Sequence, residues 1–509
     1  MRSSSLSILA LATAMPFAAH AEGQSAVHLQ EVVISGGLAP IEQARYGRAY
    51  SIVTAEAIER RGLQTISDVL RALPGVAVNA TGGNFTQVRI RGGEGNQTLV
   101  LVDGVRLPTE RDEYIFAGLD TADIERVEVL RGPQSAFYGN NAASGVINII
   151  TRKATGTGYG GKIEAGNGHL VNGYVQTRTD KGGLRFSVTD LHDRGYDFSG
   201  NDGEKDFTKR RTYRLSSDWL LTDKLSFGAN FYHAREHYAF DDVDYVNGTT
   251  HETYLKDGPG VKTLRRENLG TLSLSYGTEA DQLTHHLEAS QARYQSRSLT
   301  GTWNKTRNDA LKYRATIGLD GSVGTASQRL FLMLEGQKDK NSSNPLHERR
   351  QHSLAFEYRG DFDNGLSLQA GVRHDNNNRF DEFTGWNVAA SYQLNDTLRF
   401  HGSAGLALVK ASYTEIYGAD YGNPAWNIDP NLGLLPEEDE SIDFGVEYRS
   451  LDGRGLIDVT FFSERLTNEI GAPRGTIRSY SNIPGTGKRK GVEVQGSYDL
   501  TSQFTLGVN

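Results

Sequence analysis

Leu366-Ser367-Leu368-Gln369-Ala370-Gly371-Val372-Arg373 places an apolar residue at every second position and a small or polar one between. A β-strand turns successive side chains to opposite faces, so this run has one apolar and one polar face. The period returns in Leu225-Ser226-Phe227-Gly228-Ala229-Asn230-Phe231, Leu272-Ser273-Leu274-Ser275-Tyr276 and Ile457-Asp458-Val459-Thr460-Phe461, and holds from about Gly160 onward. Each run approaches the ~9–11 residues that a tilted strand needs to cross a bilayer. Tight turns such as Leu221-Thr222-Asp223-Lys224 and Leu394-Asn395-Asp396-Thr397 alternate with long polar segments such as residues 241–268. Short turns at one end and long loops at the other are the asymmetry of a transmembrane barrel. A soluble sandwich or propeller also alternates, but neither needs about a dozen or more uniformly long strands, and no blade-length repeat is visible.

The composition agrees. The 509 residues include 58 glycines, 23 tyrosines and 20 phenylalanines but no cysteine, which suits strands joined by turns and excludes disulfides. A net charge of -8 with scattered cations gives no basic footprint, so nucleic acid is not expected as a partner. Roughly seventeen strands fit before Asn509, whereas bacterial barrels use an even number and must close, because an open edge in lipid leaves backbone groups unsatisfied. The expectation is a chain that stops before its last strands.

The N-terminus reads as an export signal over residues 1–21: Arg2, an apolar run at 6–17, then Ala19-His20-Ala21 as a small-x-small cleavage pattern. The mature chain is expected to begin at Glu22, with a leash over 22–37. Residues 38–153 mix short helices and strands. Thr65-Ile66-Ser67-Asp68 can cap a helix whose Ile66, Val69, Leu70 and Leu73 share one face, and Pro74-Gly75 stops it. Asp103-Gly104 is a hairpin turn between the β-type run at 98–102 and Val105-Arg106-Leu107. Residues 124–130 and 146–150 are two further strands. The expected architecture is therefore an N-terminal α+β domain followed by a barrel over 154–509.

Six blocks carry a resemblance. They are Ile66-Ser67-Asp68-Val69-Leu70-Arg71-Ala72-Leu73-Pro74-Gly75-Val76; Val88-Arg89-Ile90-Arg91-Gly92; Leu101-Val102-Asp103-Gly104-Val105-Arg106; Ile124-Glu125-Arg126-Val127-Glu128-Val129-Leu130-Arg131-Gly132-Pro133-Gln134-Ser135-Ala136; Tyr138-Gly139; and Ala143-Ser144-Gly145-Val146-Ile147-Asn148-Ile149-Ile150-Thr151. In this order they resemble the plug of the TonB-dependent outer-membrane receptor family, nearest in pattern to its cobalamin receptors and next to its ferric siderophore receptors. The resemblance implies a plug in the lumen of an outer-membrane barrel of 22 strands, about 17 of them present here, with membrane lipid around it, a TonB partner and a small-molecule ligand.

Gln30-Glu31-Val32-Val33-Ile34-Ser35-Gly36 resembles the family's TonB box, which can add as a strand to an exposed sheet edge and transmit a pull. The alternative is that this run forms the first strand of the plug. The resemblance also implies that the plug arginines Arg91 and Arg131 meet acids on the barrel wall, here Glu493 and Asp443. Asp443 stands where relatives often carry Glu and is shorter by a methylene. Surface ion pairing is the alternative for these residues.

The loop Gly195-Tyr196-Asp197-Phe198-Ser199-Gly200-Asn201-Asp202-Gly203-Glu204-Lys205-Asp206 and the run Asp241-Asp242-Val243-Asp244 are dense in carboxylates, which suit Ca²⁺. Asp197, Asp202, Asp206, Asp241, Asp242 and Asp244 are the candidate ligands, matching in part the calcium-ordered loops of cobalamin receptors; solvated acidic loops are the alternative. No cofactor is otherwise required. Tyr238, Tyr245, Tyr254, Tyr417, Tyr421 and Trp426 could cradle a corrinoid or catecholate complex or serve as an interfacial girdle. The His285-His286 pair, which a haem receptor would offer, sits within an alternating strand and reads as structural. A passive porin would lack the leash and plug, and no nucleophile elbow, metal-histidine motif or phosphate loop marks an enzyme.

Overall fold

The computed structural model describes residues 32–81, 84–107, 113–198, 203–243, 255–256, 262–299, 301–341, 348–379, 382–419, 427–472 and 478–509. The N-terminal domain begins with β1 (Val32–Val33) and β2 (Ile41–Glu42), an antiparallel pair. Next come β3 (Tyr50–Thr54), α1 (Ala55–Arg61), α2 (Ile66–Arg71) and the hairpin β4 (Val76–Thr81) with β5 (Phe85–Ile90). Then follow β6 (Thr98–Val102), β7 (Val105–Arg106), β8 (Ile124–Arg131), α3 (Ser135–Tyr138) and β9 (Gly145–Thr151). Five of these strands form a sheet in the order β3-β8-β9-β6-β7.

Local chemistry sets these boundaries. The Thr65 side chain accepts from the Asp68 N–H while Asp68 reaches back to Thr65, capping α2 at both donors. Ile66, Val69 and Leu70 are buried against the sheet. Asp103 and Gly104 both take positive φ (49° and 80°), as a two-residue hairpin turn requires, and join β6 to β7. Every residue of β9 is buried, because β9 runs between β8 and β6 in the middle of the sheet.

The rest is one antiparallel sheet of seventeen strands in sequence order, the number that the period implied. Its strands begin with β10 (Gly158–Ala165), β11 (Gly168–Thr179), β12 (Gly182–Asp193), β13 (Thr208–Leu220) and β14 (Leu225–Ala239). A loop hairpin of β15 (Asp242–Val243) and β16 (Leu255–Lys256) intervenes. The sheet continues with β17 (Lys262–Tyr276), β18 (Leu283–Ser298), β19 (Asn304–Gly318), β20 (Gln328–Asn341), β21 (Glu348–Asp361) and β22 (Leu366–Asn377). After β23 (Phe383–Gln393) and β24 (Leu398–Val409), the helix α4 (Tyr413–Tyr417) leads to β25 (Glu437–Arg449) and β26 (Gly455–Thr467). A second loop pair, β27 (Ile470–Gly471) with β28 (Ser481–Asn482), precedes β29 (Thr486–Thr501) and β30 (Phe504–Val508). The terminal strands β10 and β30 each have one neighbour and do not pair with each other.

Alternation sorts the side chains. Phe186, Phe231, Leu272, Leu311, Val388, Phe444 and Phe461 are exposed on the outside, while Arg185, Ser187, Glu236, Glu267, Asp443 and Glu493 are buried against the N-terminal domain. That pattern inverts a soluble protein and fits a lipid-facing wall around a polar lumen. No helix among the described residues is long and apolar enough to cross a membrane. The four longest connections, 194–207, 240–261, 410–436 and 468–485, leave one end of the sheet, here called the loop end. The other end carries turns such as 221–224 and 394–397, and the chain passes from β9 into β10 there.

Candidate functional site

The N-terminal domain fills the lumen and is held by buried charges. Arg91 follows β5 in a left-handed conformation (φ 51°), with its N–H on the Gly75 carbonyl at 2.7 Å. That turn aims the guanidinium at the wall. Its nitrogens reach Asp443 at 2.8 Å, Glu464 at 3.4 Å and Glu493 at 2.9 Å, and its side chain is fully buried. The Phe462 ring lies 4.2 Å below the same guanidinium. The shorter Asp443 therefore reaches its arginine. Arg131 meets Glu493 at 3.4 Å but spends its other donors on the Pro74 carbonyl and the Ser51 hydroxyl, both at 2.8 Å. All four expected residues thus gather in one cluster. Sequence reasoning missed Glu464, Arg489 and Asp439, which extend it through contacts of 3.1 Å and 2.8 Å. Their inward parity on β25, β26 and β29 was the available signal.

A second cluster, also missed, lies across the lumen. Arg210, Glu236, Arg265 and Glu267 come from β13, β14 and β17 and are almost wholly buried. Arg210 bridges Glu236 at 3.1 Å and Glu267 at 2.5 Å, while Arg265 pairs with both acids. The quartet grips the segment between β7 and β8. Tyr114 donates to Glu267 at 2.8 Å, the Gly118 N–H donates to Glu236 at 3.0 Å, and Arg265 donates to the Ile115 carbonyl at 2.5 Å.

Of the expected coupling segment, Gln30 and Glu31 lie outside the described residues. Val32 to Gly36 do not form a free leash. Val33 is fully buried, and the N–H groups of Ile34 and Ser35 donate to the two oxygens of Glu128 at 3.0 and 2.8 Å. Asn148 donates to the Ser35 hydroxyl at 2.7 Å, and Tyr138 donates to its carbonyl at 3.0 Å. A Cβ on Gly37 would stand 2.6 Å from Glu357, so that glycine is packed against the wall. The physical reason is Glu128, a buried carboxylate whose two acceptors match two successive backbone donors.

Among the expected calcium ligands, Asp202 and Asp244 lie outside the described residues, as does the side chain of Asp242. Asp206 and Asp241 do come together, joined by Glu204, with ligand oxygens all within 4.8 Å of one another. Asp197 is held by the Gly203 N–H at 2.8 Å and acts on Asp206 through charge. Among the described residues, neither side-chain oxygen of Asp206 nor Oδ2 of Asp241 has a hydrogen-bond partner. Burial, with the Asp241 and Glu204 carboxylates beside it, pushes Asp206 up to about 7. Three hard oxygen donors gathered this way, two of them buried, suit a divalent cation.

Above β6 and β7, at the loop end, a small cavity of about 60 Å³ is lined by Arg106, Asn141, Asn308, Asp339, Arg349 and Tyr413. Tyr417 stacks on Tyr413 beside it, whereas Tyr238 is buried against the lumen; Tyr245, Tyr254, Tyr421 and Trp426 lie outside the described residues. His285 and His286 bond Tyr313 and Ser275 within the sheet, as structural residues do.

Known proteins share both layers of this architecture. The family model described as the TonB-dependent receptor plug domain matches residues 42–146, and that of the TonB-dependent receptor-like β-barrel matches residues 152–509. The vitamin B12 transporter BtuB of Vibrio vulnificus (strain YJ016) is 25% identical over 477 residues, covering 88% of this chain and 72% of its own. The siderophore receptor PirA of Acinetobacter baumannii superposes with a TM-score of 0.73 at 18% identity, over 90% of this chain and 79% of that one. The ferric-catecholate import receptor Fiu of E. coli K12 superposes with a TM-score of 0.71 at 15% identity, over 93% and 80%. With a plug locked inside an antiparallel barrel and the barrel family matched over most of its length, this chain belongs to the TonB-dependent receptor family.

Proposed function

We propose that the chain imports a scarce nutrient complex, cobalamin or a ferric siderophore, across the bacterial outer membrane, with TonB supplying the energy. The observation that carries this reading is the buried lock around Arg91. An ion cluster whose two plug arginines are almost wholly buried opens rarely by thermal motion, since breaking a buried pair costs about 3–5 kcal/mol. A passive pore has no use for such a stopper. Work must enter from outside, and the segment at 30–36 lies at the start of the plug, where a pull on Val32–Ser35 acts first on Glu128 in the central sheet. The ligand is held at the loop end, by the external loops and the cavity over β6–β7. Calcium bound by Asp206, Asp241 and Glu204 would order the neighbouring loops, one of which is tied to the plug where Asn84 donates to the Asp206 carbonyl at 2.8 Å.

Deletion of residues 30–36 tests the reading in cells. Uptake should stop while surface binding of the ligand persists; unchanged uptake would identify a passive route. Binding of cyanocobalamin against ferric catecholates to the purified receptor, with and without chelator, separates the two cargo classes. A haem or other metal-complex receptor is the second reading, and micromolar or weaker binding of both cargo classes would favour it.

A further inference from the structure

The outer face of the barrel carries an unusual row of cations at the loop end. Arg211 on β13 stands directly opposite Arg235 on β14, which stands directly opposite Arg266 on β17. One strand pair further on, Arg293 faces Arg307 across β18 and β19. Like charges facing each other across an antiparallel pair are destabilising unless an anion lies between them. Two of the five have one: Arg211 pairs with Asp190 at 2.6 Å and Arg307 with Asp309 at 2.7 Å. No carboxylate among the described residues pairs with Arg235, Arg266, Arg293, Arg297 or Lys209. Arg266 and Arg297 instead lie over the Trp303 ring, at 4.8 and 5.1 Å.

The register gives the height of this row. Toward the turn end, successive outward rows read Tyr213–His233–Asn268, Leu215–Phe231–Gly270, Ser217–Ala229–Leu272 and Trp219–Phe227–Leu274. The apolar band thus stops at Leu215 and Phe231, and an aromatic and polar row follows. Arg211, Arg235 and Arg266 lie four residues beyond the band's edge, about 10 Å along the membrane normal after allowing for strand tilt, while Arg293 and Arg307 extend the Tyr213–His233–Asn268 row, two residues beyond that edge. That is headgroup depth rather than open water. The residues border a groove in which Asp190, Lys209, Arg235, Arg266, Arg297 and Trp303 take part.

We propose that this face binds the phosphate-bearing headgroup of a glycolipid in the leaflet at the loop end. Phosphate matches the planar guanidinium fork through paired charge-assisted hydrogen bonds, and one dianionic group can bridge two facing arginines. A lipid rather than a free anion is the occupant because the row faces away from the lumen and continues directly into the acyl-contacting band. The proposal rests on the strands spanning the bilayer with the loop end outward, and not on which nutrient is imported.

The test is a titration of the purified full-length receptor, in detergent, with bis-phosphorylated lipid A and with the same lipid after enzymatic removal of its phosphates, followed by native mass spectrometry. The expected result is a clear preference for the phosphorylated lipid. The double variant R235Q/R266Q should lose about 30-fold in affinity for it, while K181Q at the turn end changes nothing. Heat-modifiable gel migration shows whether the variants fold; if they do not, the comparison of the two lipids on the unaltered protein decides. Equal affinity for both lipids would overturn the proposal, as would undiminished binding by the folded double variant. Competition by inorganic pyrophosphate as effective as that by the phosphorylated lipid would also overturn it, in favour of a soluble-anion site.

Discussion

Removing the Arg91 guanidinium is the sharpest perturbation of the plug. In R91M the wall keeps Asp443, Glu464 and Glu493, all buried, with Arg131 still 3.4 Å from Glu493 and Arg489 still 3.1 Å from Glu464. Those two cations compensate partly, so the cost falls near the low end of the range for an orphaned buried pair, about 3 kcal/mol. The population of undocked plug then rises by about two orders of magnitude. Hydrogen exchange reads this directly: amides of β4 and β5 should lose that much protection in R91M, while those of the barrel strands keep theirs. Backbone strain refines the magnitude. Arg91 sits at φ 51°, which costs a non-glycine residue about 1–2 kcal/mol. R91G removes the same charge and relieves the strain, so it should be milder than R91M by about 1 kcal/mol. A double-mutant cycle of R91M with E493Q should show coupling above about 1.5 kcal/mol. Exchange unchanged within a few-fold, or coupling below about 0.5 kcal/mol, would refute the reasoning.

Three further outcomes follow from the same contacts. E128A deletes the acceptor of two backbone donors, so a spin label at Val33 should become mobile in the absence of ligand, whereas unchanged spectra would show that β1–β2 pairing alone holds the segment. If Asp206 and Asp241 hold calcium, a chelator should lower the melting temperature of the unaltered receptor but not of D206N/D241N. The metal should also bind more weakly at pH 6 than at pH 8, because a carboxyl pushed up to about 7 must first release its proton. Y114F removes one donor to Glu267, which keeps its arginine partners, so guanidinium unfolding should register a loss of only about 1 kcal/mol.

The strands were legible because alternation is a local property, and so were the α2 cap and the Asp103-Gly104 turn, each set by neighbours in sequence. The ion clusters were not. Arg91 meets Asp443 and Glu493 across 352 and 402 positions, so their meeting depends on the register of every strand between. The expected partners of Arg91 came from resemblance; Glu464 and the whole Arg210–Glu236–Arg265–Glu267 quartet had only inward parity to mark them. Val32–Ser35 misled for a related reason. Its β-branched run reads as an extended strand, but whether that strand is free or docked is decided by Glu128, which lies 93 positions from Ser35. The acidic loops gave the opposite case, in which composition brought Asp206 and Asp241 to notice while Glu204, lying between the candidate aspartates in the same run, was passed over.

The two clusters hold the plug by different physics, and this decides where resistance to its movement lies. The quartet is neutral on the wall itself, two arginines against two glutamates, and grips the plug through Tyr114, the Gly118 N–H and the Ile115 carbonyl. If the plug withdraws, water replaces those bonds and no charge is orphaned, so each contact is worth only about 1 kcal/mol. The Arg91 cluster is unbalanced: the wall offers Asp439, Asp443, Glu464 and Glu493 against Arg489 alone, and neutrality is approached only when the plug adds Arg91 and Arg131. Withdrawal leaves like charges facing one another in a confined lumen, and entering water can screen them only in part. A pulling force should therefore meet its barrier at the Arg91 side first. The ordering R91M well above Y114F in plug exchange is its signature, and a larger effect from Y114F would place the barrier at the quartet instead.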